Sequence, residues 1–415
     1  MASSLRLPPE RDFAPLDLLR DPLPPPLRPE AELAILDVTK YFGDTTGGIK
    51  TYLLEKAGYV RAHPTLRHVL VVPGVRDACW DGDGVRCYRL AGPRVPGLPG
   101  YRLLWSSRRL RRILEHEQVH LVEVGSPLLV PWLALRANRR VALPIVWFYH
   151  SNLPRVLCPR PERDHLFRRA AGALAWRYVR SLARRFDAVL ASSEFCAREL
   201  EVRGVENVLR VSLGVDLELF HPRRRARAAE TRERAGLPPG PLALYVGRIS
   251  MDQEVDVLID AWPEVERRAG AALAMVGEGP ARARLEAKTR GRRVHWLDYV
   301  ADREKVADLH AAADLYVSPC AVESFGLAAL EALASGTPLL AADQGGVAEQ
   351  VEASSAGSLF RSDDPHALAE AACTLLSRAD LGELGARGRA HAELRHGEGA
   401  VLERLLAAYA TVLRR

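Results

Sequence analysis

From residue 31 onward, short apolar runs alternate with longer amphipathic or irregular stretches, and the series occurs twice. The first reads AELAILDV, RHVLVVPG, HLVEVGSP, LPIVWFYH, DAVLASS and NVLRVSLGV. The second reads PLALYVGR, AALAMVGEG, RVHWLDY, ADLYVSP, TPLLAAD and AGSLF. Runs this apolar suit strands buried on both faces, and parallel sheets are buried that way because crossover helices cover them. Two such series predict an α/β chain of two doubly wound, Rossmann-like domains facing across a cleft. Their ligand loops are then expected at the carboxyl ends of the strands. A chain of 415 residues is long enough for two cores.

The stretch HPRRRARAAETRERAGLPPGP is polar, basic and rich in Pro and Gly, so a linker is expected over residues 221–240. It separates a first domain over 31–220 from a second over 241–395. Residues 1–30 carry the run PLPPPLRP and are expected to be a poorly ordered lead-in. The closing VLERLLAAYATVLRR predicts a helix over 396–415 that packs back on the first domain.

Composition excludes several classes. The six cysteines are scattered with no C-x-x-C pair, which argues against structural zinc or a disulfide framework and for a reducing, cytoplasmic location. No apolar run reaches membrane-spanning length, and MASSLRLPPERDF lacks the apolar stretch of a signal peptide. The net charge is +6, carried almost wholly by arginine. No aromatic-interleaved basic groove or helix-turn-helix pattern accompanies it, so no nucleic-acid partner is expected. RRLRRIL (108–114) and the arginines between Arg155 and Arg185 fit either solvated helix faces or a basic face drawn to anionic lipid.

Four loops carry chemistry. Gly47 and Gly48 stand after the first strand and before IKTYLLE, where a phosphate could approach a helix N-terminus. The pattern is not G-x-G-x-x-G, so an NAD-dependent oxidoreductase is disfavoured. Arg248 follows the strand PLALYVG and suits a diphosphate. Gly277-Glu278-Gly279 follows the next strand. The fourth loop is SPCAVESFGLAALEALASGTPLLAADQGG (318–346). With Ser324 as N-cap, a helix there would turn the amides of Phe325, Gly326 and Leu327 toward the cleft. Glu323 and Glu331, about 12 Å apart along a helix axis, could then bind hydroxyls on either side of an anion. Sugar, diphosphate and ribose follow that order in a nucleotide-diphosphate sugar.

In these residues the chain resembles the retaining glycosyltransferases of family 4, the group 1 enzymes with the two-domain GT-B fold, over residues 31–415. The motifs are the E-x7-E pair Glu323 and Glu331, YVGRIS, VGEGP, DQGGVAEQV, GGIKTYL and FYHSNLP. The resemblance implies that Glu323 binds donor-sugar hydroxyls and Glu331 the ribose. Arg248, helped by the amides of Phe325, Gly326 and Leu327, would stabilise the leaving diphosphate, with Gly47 and Gly48 opposite. Gly277, Glu278, Gly279, Tyr299 and Val300 would line the base, and His150 would sit beside the donor sugar. The implied reaction is hexosyl transfer to a lipid or glycan acceptor with retention and no metal or other cofactor. YHSNLP leans the donor towards GDP-mannose, with UDP-glucose next. Peripheral contact with an anionic membrane would fit such an acceptor.

One position departs from the family pattern. A lysine follows the arginine in G-R-x-x-x-x-K-G, whereas this chain has Gln253 and Glu254 there. Glutamine offers a hydrogen bond without charge. Lys50 is one cation that could compensate, and a catalytically weak or inactive partner subunit is the alternative. A sugar-nucleotide epimerase is a third reading.

Overall fold

The computed structural model describes residues 7–43, 47–95, 102–158 and 166–415. Among these residues the first sheet runs through β1 (Ala14–Pro15), β2 (Leu33–Val38), β3 (Leu66–Gly74), β4 (Ala78–Gly82) and β5 (Val85–Ala91). It continues with β6 (Leu121–Val124), β7 (Ile145–Phe148), β8 (Ala188–Ala191) and β9 (Val208–Arg210), and the spatial order is β1-β4-β5-β3-β2-β6-β7-β8-β9. Strands from β5 to β9 pair in parallel, while β4 and β1 are added antiparallel at one edge.

The second sheet contains β10 (Leu242–Val246), β11 (Ala272–Val276), β12 (Val294–Leu297), β13 (Leu315–Ser318), β14 (Leu339–Ala342) and β15 (Gly357–Phe360). It is wholly parallel, in the order β12-β11-β10-β13-β14-β15. Burial explains the apolar runs: every residue of β3, β6, β7, β8, β11, β13 and β14 is buried. In each sheet the strand order reverses beside the strand that opens its series, β2 or β10, and the loops leaving those strands face the crevice.

Two expectations need correction. The described part of the lead-in, residues 7–30, is tied down: Phe13 and Leu18 are 1% and 0% exposed, and Ala14 pairs with Cys79. Prolines hold it extended, and its carbonyls accept from Arg86 at Pro24 and Pro25 (2.9 and 3.0 Å) and from Arg112 at Leu18 (2.9 Å). Residues 1–6 lie outside the described residues. The stretch expected as a linker contains a 3-10 turn, Pro222–Arg227, and a helix, Ala228–Arg234. Two of its arginines pair with the second domain: Arg224 with Asp308 (2.7 Å) and Arg232 with Asp314 (3.0 Å).

After the helix Leu381–Arg395 the chain crosses back through Gly397, which bridges to Val215, into a last helix, Glu398–Leu413. That helix buries Leu402, Leu405, Tyr409 and Val412 in the same core as Tyr52, Leu53 and Phe148 of the first domain.

Candidate functional site

Between the two sheets lies a cavity of about 400 Å³. Its walls bring together Gly47, Gly48, His150, Arg248, Gln253, Glu323, Ser324, Phe325, Gly326 and Leu327 from the residues singled out above. The 15-residue helix Gly48–Ala62 starts at one wall and the helix Leu327–Ala334 at the other. A Cβ on Gly48 would stand 3.7 Å from the Leu327 side chain, and one on Gly47 would meet nothing within 4 Å. Two helix N-termini therefore converge on one space, and each favours negative charge there.

Glu323 sits at the start of this wall. Burial pushes its carboxyl above the usual range, against hydrogen bonds from the Gln253 side chain and the amides of Phe325 and Ser324. Gln253 thus steers Glu323 rather than standing alone, and the Phe325 amide is engaged by this carboxylate instead of being open to an anion.

Ser324 is not the N-cap that the spacing suggests. The helix begins at Leu327 with Gly326 in the cap position at φ 83°, because the Ser-Phe-Gly turn needs a left-handed residue before the helix can start. The Ser324 hydroxyl donates instead to the carbonyl of His150 (2.7 Å), and its own carbonyl accepts from Ser193 Oγ (2.6 Å). It fastens one domain to the other across the cavity.

His150 follows β7 and stacks on Phe148, with centroids 4.0 Å apart and planes 9° apart. Its Nε2 is buried with no hydrogen-bond partner among the described residues, and burial pulls its pKa down to about 3. The imidazole is neutral at physiological pH, so it can exchange a hydrogen bond with a hydroxyl but brings no charge. Arg248 is 47% exposed and ion-paired with Asp252.

Other expected residues lie elsewhere. Gly277, Glu278, Gly279, Tyr299, Val300 and Glu331 are not among the cavity walls. Gly277 and Gly279 instead allow close packing: a Cβ on either would strike the carbonyl of Gly247 or Ile249. The loop carrying Arg248 is braced there by the Gly247 amide donating to Val276 and the Ile249 amide to Glu278 (3.0 and 2.9 Å). Glu278 pairs with Arg282 (2.6 Å). Glu331 is buried against Arg303 (2.8 Å). Burial would raise its pKa, but Arg303 and His310 hold it below the usual carboxylate range. Lys50, considered as a compensating cation, does not line the cavity; its Nζ donates to the Gly43 carbonyl (3.0 Å).

The sequence reading missed Lys40, Tyr41, Ser151 and Ser192, which also line the cavity. Lys40 was detectable in principle, since it stands two residues past the end of β2, a strand expected to open a crevice.

Models of known families match this chain in two segments: Glycosyltransferase Family 4 over residues 46–219, and Glycosyl transferases group 1 over residues 240–378. The chain is 32% identical over 350 residues to the GDP-mannose-dependent alpha-(1-6)-phosphatidylinositol dimannoside mannosyltransferase of Mycobacterium tuberculosis, covering 84% of this chain and 89% of that one. It is 30% identical over 373 residues to the corresponding monomannoside mannosyltransferase of the same organism, covering 86% and 92%. In fold it resembles sucrose-phosphate synthase from Thermosynechococcus elongatus, with a TM-score of 0.72 at 21% identity over 92% of this chain and 100% of that one. It also resembles Anabaena HepE in complex with UDP and glucose, with a TM-score of 0.71 at 19% identity and the same coverage. With two GT-B domains, both family segments and relatives matched over most of its length, this chain belongs to the group 1, family 4 glycosyltransferases.

Proposed function

We propose that this glycosyltransferase moves a mannosyl group from GDP-mannose to a lipid-linked acceptor, with retention at the anomeric carbon and without a metal. The observation that carries the reading is the cavity in which Glu323, His150 and Arg248 meet two helix N-termini. Glu323 accepts from donor-sugar hydroxyls, and the neutral His150 bonds another. As the bond between the anomeric carbon and the phosphate oxygen breaks, Arg248 and the helix termini face the charge left on that oxygen. The acceptor hydroxyl forms the new bond on the same face and its proton passes to the leaving phosphate.

The donor assignment is supported by the names of the relatives, which specify GDP-mannose and phosphatidylinositol mannosides. The acceptor assignment has physical support on the first domain. The helix Leu166–Ala183 leaves Leu166, Phe167 and Leu174 82%, 84% and 65% exposed, beside the exposed Arg168, Arg169, Arg177 and Arg180. Apolar side chains flanked by arginines suit an anionic bilayer surface. No helix among the described residues is long and apolar enough to cross a membrane. Sedimentation with vesicles is expected to show binding to anionic lipid that weakens with salt; equal binding to neutral vesicles at low salt would refute the contact.

Calorimetric titration with GDP, UDP and ADP in the absence of metal tests the donor. GDP is expected to bind most tightly. Failure of all three would remove the donor site and favour the non-catalytic partner reading, which Gln253 motivates.

A further inference from the structure

The cavity walls carry three formal charges from the described residues: Lys40, Arg248 and Glu323. They are not equivalent. Arg248 shares its charge with Asp252 and extends into solvent. Glu323 is an acidic group, hydrogen-bonded by the uncharged Gln253, and supplies no positive charge. Lys40 forms no ion pair among the described residues, and its Nζ stands 5.0 Å above the ring of Tyr41, a second cavity residue.

We propose that Lys40 supplies, from the first domain, positive charge that stabilises the departing diphosphate, opposite the wall where Gln253 stands in place of a lysine. This rests on the donor reading given above. The backbone around Lys40 is held in place before any ligand arrives. Its amide donates to Ser126 Oγ (3.0 Å), the Thr39 hydroxyl reaches the Gly125 carbonyl (3.2 Å), and the Tyr41 amide donates to Thr39 Oγ1 (3.1 Å). The Thr39 amide also continues the ladder to the Val71 carbonyl (3.2 Å). A cation fixed in a partly water-excluded cavity acts on developing charge more strongly than one in bulk water, and with less reorganisation. Burial lowers the ammonium pKa, a cost that an arriving diphosphate offsets.

In the step concerned, the anomeric carbon–oxygen bond breaks and the electron pair stays on the β-phosphate oxygen. Lys40 lowers the energy of that charge, the acceptor hydroxyl bonds the anomeric carbon, and its proton ends on the phosphate. Lys40 would be a catalytic residue contributed by the domain opposite Arg248, so charge stabilisation would be complete only with the two domains together.

The test compares wild type with K40Q, K40R and the double variant K40Q/Q253K. It measures GDP affinity by calorimetry and GDP release from GDP-mannose with water as acceptor. K40Q is expected to weaken GDP binding and lower kcat by about 10²-fold, the size of losing one preorganised charge-stabilising donor. K40R should retain most of the rate, and Q253K in the K40Q background should restore much of it, because a lysine would again face the phosphate. Q253K alone should raise the wild-type rate only modestly. K40Q with wild-type GDP affinity and rate overturns the proposal while leaving the donor reading standing. A wild-type protein that binds no nucleoside diphosphate overturns both. K40Q that loses binding together with its thermal transition, where K40R keeps both and Q253K rescues neither, assigns Lys40 to folding and overturns the proposal as well.

Discussion

Gly326 shows how strongly one residue type can fix the geometry of the site. Its φ of 83° lies where side chains are disfavoured, and a methyl there would collide with Val347 on the neighbouring helix Gly346–Ser354. Gly326→Ala is expected to cost about 2 kcal/mol, from left-handed strain plus the collision, and to displace the wall bearing Glu323. Denaturant unfolding checks it; a variant as stable as wild type would refute the strain. Glu254 makes the reverse case. It adopts φ 50° without being glycine, and its carboxylate accepts from the buried amide of Ala321 (2.7 Å). Here a side-chain hydrogen bond holds a conformation that glycine takes without strain. The sequence pattern shows only that the position departs from the family; the bond to Ala321 explains how it can.

Between elements, the main polar connection is buried beneath the first sheet. Lys56, on the helix Gly48–Ala62, bonds Asp37 of β2 (2.8 Å), Glu123 of β6 (3.4 Å) and Tyr409 of the last helix (2.6 Å). Burial would raise the Asp37 pKa, but Lys56 and His68 hold it far below the usual range. Burial pushes Glu123 up to about 8, so one ammonium faces one carboxylate and one carboxylic acid at neutral pH. Burial also keeps His68 below its ordinary value, and it bonds Asp37 at 2.5 Å. Lys56→Met would leave Asp37 without its cation, and a loss of about 3–5 kcal/mol is expected. Thermal unfolding measures it; a change under 1 kcal/mol would show that the network relaxes. Most strands were readable from their apolar runs, whereas β1, β4 and β5 were not. The network was not, since its bonded partners Lys56 and Tyr409 stand 353 positions apart and nothing local marks one as the partner of the other.

Across the whole molecule, the two domains meet through more than the cavity. Glu349 of the second domain caps the helix Glu194–Val202 of the first, accepting from the amides of Glu194 (3.0 Å) and Phe195. Elsewhere, Glu55, Asp216 and Glu331 share the field of Arg303, and Glu398 interacts with Glu55 and Asp216. Burial, then Glu398, pushes Glu55 well above the carboxylate range. Burial, then Asp216, pushes Glu398 up to about 7. Because the folded state holds these protons more tightly than the unfolded state, stability should fall as pH rises from about 4.5 through 7. Glu331 works in the opposite sense at lower pH. Its lowered pKa contributes stability above about 4.5 that is lost on acidification. Buried, neutral His68 and His150 act in the opposite sense below their ordinary pKa of 6.5, so the comparison is between variants: from pH 5 to 8 the melting temperature of wild type should decline relative to that of Glu398→Gln. Parallel profiles would show that Glu398 ionises alike in both states.

Alternating apolar runs were enough to specify two sheets built mainly of parallel strands, because burying both faces of a strand leaves a mark in every few residues; the antiparallel edge of the first sheet left none. The placement of Glu323, Arg248, Gly47 and Gly48 at strand or helix ends followed from the same alternation. Other features depended on which ends the topology brought together. The described part of the Pro-rich lead-in, residues 7–30, is tied down because distant arginines bond its carbonyls. Ser324 fastens the domains because His150 lies opposite it. Glu331 is held by Arg303 and does not line the cavity, whereas Lys40 does because β2 sits at the reversal of strand order. Local periodicity records what a segment must bury; it carries no record of the partner, which is set only when remote segments share one core.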